Sequence, residues 1–239
     1  MSTKGETGAV VTWHHGLIAR WWATFNLDGP EIDFFGELVA AGQPALDVAC
    51  GTGRLLVPWV AGGMDVDGVD ASADMIAACC AAASQADRTP QLFVQPVHQL
   101  DLSRRYATIV MCGGLGLGGS RQQDVEGLRR MLAHLRPGGL LALDCEVENT
   151  DDERWWIDPA PRSSAEPPDA VHRRHGTDGF DYALRHHVVE IDRTDRHVTR
   201  ELEAWQWLDG ELTAHELHRL EINVWRRAEI VAALRDVGF

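Results

Sequence analysis

The run Ala45-Leu46-Asp47-Val48-Ala49-Cys50-Gly51-Thr52-Gly53-Arg54 decides how the rest of the chain is read. Its apolar residues, interrupted by the single acid Asp47, make a short strand. Gly51 and Gly53 then let the backbone turn tightly and approach a ligand closely. A helix beginning at Arg54 follows, and the free N–H groups of a helix start suit a carboxylate or phosphate. Outward from there, Asp65-Val66-Asp67-Gly68-Val69-Asp70 reads as the next strand and the alanine-rich residues 72–86 as the next helix. Asp70 closes that strand 19 residues after Gly51, where a carboxylate is placed to accept both hydroxyls of a ribose. Strands at 91–94 and 107–112, a helix at 122–135, a turn at Arg136-Pro137-Gly138-Gly139 and a strand at 140–144 continue the series. Strand and helix alternating five times predicts an α/β fold with a doubly wound, mostly parallel, Rossmann-like sheet.

The flanks read differently. Leu17, Ile18, Trp21, Trp22 and Phe25 form one helical face, broken at Asn26-Leu27-Asp28-Gly29-Pro30. Pro30 opens a second helix closed by Gly42. Residues 148–179 are loop-like, and 180–225 read as three period-2 strands turning at Arg193-Thr194-Asp195-Arg196 and Asp209-Gly210. That predicts an appended antiparallel β-meander, then a final helix over 226–237. The chain thus divides into an N-terminal helical lid (1–42), an α/β core (43–147), a meander forming a substrate cap (148–225) and a C-terminal helix of the core (226–239).

The 239 residues carry 22 basic and 36 acidic side chains, a net charge of −14. That field repels phosphate backbones and anionic lipid, which argues against nucleic-acid and membrane-surface partners. With 45% hydrophobic and 24% charged residues the composition is globular. No apolar run approaches the roughly 18 residues that span a bilayer, and the start carries no signal-peptide pattern. The five cysteines show no CxxC or metal-ligand spacing, which reads as reduced thiols in a cytoplasmic protein without a metal.

The glycine loop and Asp70 alone admit a dinucleotide or S-adenosylmethionine. The dinucleotide fingerprint needs a third glycine where this chain has Leu56, and Asp47 fits badly beside a pyrophosphate. Residues 45–54 resemble the first motif of class I S-adenosylmethionine-dependent methyltransferases. Asp65-Val66-Asp67-Gly68-Val69-Asp70-Ala71-Ser72-Ala73-Asp74-Met75 resembles the acidic-loop motif that follows it, and Leu135-Arg136-Pro137-Gly138-Gly139-Leu140-Leu141 the Pro-Gly-Gly turn before the fifth strand. The likeness covers about residues 14–145. It implies S-adenosylmethionine as cofactor and methyl transfer to an O or N atom of a small-molecule acceptor.

By that resemblance the donor site takes Asp47, Ala49, Gly51 and Gly53 from the first loop, and Asp70, Ala71 and Met75 from the second. Val97 and His98, Cys112 and Gly113, and Trp22 from the N-terminal helix complete it. Gly51 and Gly53 pass under the cofactor, Asp70 takes the ribose, and Met75 lies near the adenine. Asp47 orients the glycine loop or reaches the methionine amino group. The family often has an acid where this chain has Pro96, so adenine recognition falls to the Val97 backbone with Gln95, His98 or Asp101. The family's last two strands, which complete a seven-stranded sheet, have no counterpart after Phe239, which reads as truncation. Among His14, His15, His98, His186 and His187, His15 is the first choice for a catalytic base and His98 for a contact on the cofactor side. Trp13, Trp21 and Trp22 are candidates for the acceptor pocket, as is the meander with Trp205 and Trp207, which serves alternatively as the face of a homodimer. The glycine loop Gly113-Gly114-Leu115-Gly116-Leu117-Gly118-Gly119 lies at the cofactor edge. Two other readings remain: a non-catalytic cofactor-binding or dimerisation protein on the same fold, and a nicotinamide-dependent oxidoreductase.

Overall fold

The computed structural model describes residues 12, 14–84, 89–144 and 172–239. Trp13, the end of the 72–86 helix and residues 148–171 of the expected loop lie outside the described residues. Two helices, α1 (Gly16–Phe25) and α2 (Glu31–Ala41), precede the core. The core then runs β1 (Ala45–Val48), α3 (Leu56–Ala61), β2 (Val66–Asp70), α4 (Ala73–Ala83), β3 (Leu92–Val94), β4 (Tyr106–Met111), α5 (Arg121–His134) and β5 (Leu135–Leu143). All five strands pair in parallel in the order β3-β2-β1-β4-β5. The winding reverses between β1 and β4, so the loops leaving these neighbours diverge and open a crevice at their carboxyl ends.

Period-2 alternation sends the side chains of β1 to opposite faces of the sheet. Ala45 packs with Val39, Leu56, Trp59 and Cys79 on one side, and Leu46 and Val48 with Ile109, Leu128 and Met131 on the other. Both faces are therefore covered, as an all-parallel sheet requires. Ser72 starts α4 by accepting from the Met75 N–H, and Ser120 with Gln123 forms a capping box at α5. Two details differ from the sequence reading. Helix α3 starts at Leu56, because turns occupy residues 51–55. The Pro-Gly-Gly segment is a bulge within β5: pairing passes from Tyr106 with Leu135 to Thr108 with Leu140, and Gly138 takes up the excess at φ +75°.

The second sheet is antiparallel, in the order of its strands β6 (Arg174–His175), β7 (Asp181–Asp192), β8 (His197–Leu208) and β9 (Glu211–Asn223). Turns fall at 193–196 and 209–210, and the two-residue β6 is an addition to the three strands expected. Helix α1 lays Leu17 and Ile18 against Leu202, Ala204, Leu220 and Ile222 of this sheet. Trp205 and Trp207 project the other way, packing with Ala183. His215 stacks on Trp205 at 5.3 Å, and the Arg173 guanidinium lies 4.0 Å from the Trp207 ring. After β9, α6 (Arg227–Val237) returns to the core and packs Ala233, Leu234 and Val237 on the Leu128–Met131 cluster. No described helix is long and apolar enough to cross a membrane.

Candidate active site

A cavity of about 590 Å³ opens at the carboxyl ends of β1, β2 and β4 and is walled by α1, the loop after β4 and the ends of β8 and β9. Its size is that of a small-molecule site. Trp22, Ala49, Gly51, Asp70, Ala71, Met75, Val97, His98, Cys112 and Gly113 all line it, whereas His15, Asp47 and Gly53 do not.

Asp70 is the anchor. Its Oδ1 accepts from the Ser72 N–H at 2.8 Å and its Oδ2 from the Gly51 N–H at 2.9 Å. A carboxylate offers about four acceptor positions, so capacity remains for the hydroxyls of a vicinal diol. Burial raises its pKa, and the backbone N–H groups of Ser72, Gly51 and Ala71 oppose that rise. Gly51 has φ +55° and open space where a Cβ would stand, leaving bare backbone toward the cavity. A ribose and its flanking groups fit this cradle. Ala49, at φ +57°, holds a left-handed conformation that an alanine rarely adopts.

Three of the expected residues stand elsewhere than in the cavity lining. Gly53 is a packing residue: a Cβ there would meet Val57 Cγ2 at 2.7 Å and Cys79 Sγ at 2.8 Å, so its absence lets α3 close on α4. Asp47 is 1% exposed and neither carboxyl oxygen has a hydrogen-bond partner. Alternation along β1 turns it to the Ala45 side of the sheet, away from the cavity lining. Burial first, then the nearby Asp70 charge, push its pKa up to about 8 against the pull of Arg54, so it is mostly protonated at neutral pH. It makes no hydrogen bond to the glycine loop and is not part of the cavity lining. His15 precedes the first turn of α1, is exposed, and lies against His218 with Nε2 and Nδ1 3.1 Å apart. Its neighbour His14 lines the cavity instead, edge-on to Trp22 at 5.6 Å and with Nδ1 3.2 Å from Thr12 Oγ1. Burial, then the His15 and His218 charges, lower the His14 pKa to about 4, so its ring is neutral.

At the adenine end, Gln95 gives its amide to the Asp101 backbone, accepting at 2.9 Å and donating at 3.4 Å, and Asp101 itself does not line the cavity. That leaves Val97 and His98, whose Nε2 is 3.2 Å from Gln123 Nε2. Several lining residues have no signal in the sequence. Arg54 pairs with Glu31 at 2.9 Å and reaches Cys112 Sγ at 3.7 Å. Asp144 accepts from the Cys112 thiol at 3.3 Å and from the Gly113 N–H. Asp124 accepts from Asn223 Nδ2 at 3.0 Å and Trp225 Nε1 at 2.9 Å, joining α5 to the chain leaving β9. The Asn223 N–H donates to Gly116 O at 2.8 Å and the Gly118 N–H to Glu221 O at 2.9 Å, so the glycine loop is latched to the second sheet. Trp21, Trp205 and Trp207 stand outside the lining. Among the described residues no cluster of His, Cys, Asp and Glu could hold a metal ion.

Residues 45–139, from β1 through the bulge of β5, match the family model described as a methyltransferase domain. These residues, less than half of the chain, resemble that domain. No curated protein matches in sequence. Solved structures do. The sugar N-methyltransferase KedS8 from a Streptoalloteichus species superposes with a TM-score of 0.72 at 19% identity, covering 100% of this chain and 90% of that one. DesVI from Streptomyces venezuelae gives 0.66 at 21%, covering 87% and 82%. CalS10, an amino pentose methyltransferase from Micromonospora echinaspora, gives 0.58 at 19%, covering 87% and 81%. At these identities the likeness is one of fold, and it extends through both sheets. The acceptor oxygens of Asp70 and the bare backbone at Gly51 suit a ribose-bearing cofactor such as S-adenosylmethionine. The nicotinamide reading is not favoured.

Proposed function

We propose that this protein transfers the methyl group of S-adenosylmethionine to a nitrogen, or alternatively an oxygen, of a small molecule held between α1 and the second sheet. The observation that carries the reading is the shared cavity: the Asp70–Gly51 edge and the wall of Trp22, Leu117, Arg200, Leu220 and Ile222 enclose one space. The amino-pentose and sugar-nitrogen activities named for the similar structures favour nitrogen. The meander then serves as the acceptor cap and residues 1–42 as a lid.

The bound cofactor supplies a methyl group already activated on a positively charged sulfur. The chain's residues align and enclose. Asp70 accepts the ribose hydroxyls, the Gly51 backbone lies beneath, and Val97 and His98 flank the adenine. The Trp22 face suits a cation, and the neutral His14 ring adds no repelling charge beside it. Leu115, Leu117, Leu220 and Ile222 exclude water, so that proximity and orientation provide much of the acceleration. A neutral amine acceptor needs no base before attack. The net charge of −14 supports a small-molecule partner rather than nucleic acid or membrane, and the cysteines, without metal-ligand spacing, support a cytoplasmic setting.

Side-by-side calorimetry with S-adenosylhomocysteine and NAD tests the donor. Micromolar binding of the former, about −8 kcal/mol, with none of the latter is the expected result. Methylation of amino sugars but not phenols in an acceptor panel then supports nitrogen. NAD binding without S-adenosylhomocysteine binding would overturn the reading.

A further inference from the structure

Ser72 bonds both to the loop that carries Asp70 and to the chain entering α1. Its backbone N–H donates to Asp70 Oδ1 at 2.8 Å, on the donor side. Its hydroxyl donates to the carbonyl of His14, on the acceptor side, and accepts from the Met75 N–H at 3.2 Å as the start of α4. The side chain is buried, with the residue 4% exposed, so water competes little for these bonds. Two positions on, Asp74 Oδ2 accepts from the Gly16 N–H at 2.7 Å. The first turn of α4 thus grips the chain on both sides of His15, at the entry to the helix that places Trp22 in the cavity.

On the methyltransferase reading above, we propose that Ser72 is the positioning residue that sets the lid segment, with Thr12, His14 and Trp22, in register with the ribose-binding Asp70. An occupied Asp70 fixes the loop 70–72, and the Ser72 hydroxyl passes that order to the backbone of His14. The backbone bond to Asp70 survives a change of side chain, whereas the bond to His14 does not. Donor affinity and lid placement are therefore separable by substitution.

The test is hydrogen exchange of the α1 amides with and without S-adenosylhomocysteine, alongside its affinity by calorimetry, in wild type, Ser72→Ala, Ser72→Thr and Asp74→Ala. S-adenosylhomocysteine slows exchange in wild-type α1. Ser72→Ala binds it within about threefold of wild type yet loses about tenfold of that protection, the scale of one or two hydrogen bonds. Ser72→Thr, which keeps the hydroxyl, restores it. Asp74→Ala, which leaves the α4 start intact, shows a partial loss and covers the case of a poorly folded Ser72→Ala. The proposal is overturned if both alanine variants keep full protection, if Ser72→Ala weakens S-adenosylhomocysteine as much as Asp70→Ala does, or if threonine fails to rescue. Tight wild-type binding without α1 protection sinks this inference alone. No binding by wild type sinks the reading beneath it as well.

Discussion

Asp70 and Asp47 stand on adjacent strands yet have opposite fates, decided by where each side chain points. Asp70 meets backbone N–H donors and the cavity. Asp70→Ala should therefore weaken S-adenosylhomocysteine by roughly 1.5–3 kcal/mol, the range for hydrogen bonds to a charged group, as read by calorimetry. Unchanged affinity would remove the ribose from this position. Asp47 meets no partner, and its folded pKa of about 8 lies above the ordinary 3.8. The stability it contributes is complete at the acid end and is lost as pH rises through about 8. Wild type should thus lose stability relative to Asp47→Asn between pH 5 and 8 in urea titrations, whereas parallel curves would show that the carboxyl is ionised throughout. At Ala49 the left-handed backbone costs about 1 kcal/mol, so Ala49→Gly should raise the melting temperature by about 2–4 °C. A lower melting temperature would mean that the Ala49 methyl, which faces Gly114, contributes more by packing than its backbone costs.

The β4–α5 loop shows what an element needs that its sequence does not announce. Gly113 and Gly116 both have positive φ, but a Cβ at Gly113 meets nothing within 4 Å, while one at Gly116 would stand 2.4 Å from Asn223 O. Gly113→Ala should cost about 1 kcal/mol, and Gly116→Ala about 2–4 kcal/mol by adding a backbone clash. Equal losses in denaturant titrations would mean that the latch to β9 carries no energy. The core strands were legible because short apolar runs end in Gly and Asp, and the meander because its alternation is clean and its turns contain Asp-Gly and Thr-Asp-Arg. The face chosen by Asp47 was not, since a four-residue strand buried on both sides gives no polar cue. Nor was the exchange of His15 for His14, because adjacent histidines ahead of a helix leave its rotation open. Strand β6 exists only through pairing with β7, and the Asp124–Asn223–Trp225 joint connects positions with no local signature.

At the scale of the molecule, a parallel sheet meets an antiparallel excursion between β5 and α6, with the cavity at their seam. A ligand there binds only when both are formed. S-adenosylhomocysteine at a hundred times its dissociation constant should add about 2.7 kcal/mol and raise the melting temperature by about 5–10 °C. Tryptophan fluorescence and far-ultraviolet dichroism should report one shifted transition, and a shift confined to one probe would mean that the halves unfold separately. The latch also fixes an order of events. The Asn223 side-chain amide closes on Gly119 O across 104 positions, and backbone bonds to the end of β9 hold Gly116 and Gly118. Such non-local closures form late and slowly. During synthesis, then, the parallel strands emerge before the segment that shapes their glycine loop, and the nascent chain becomes competent only when β9 arrives.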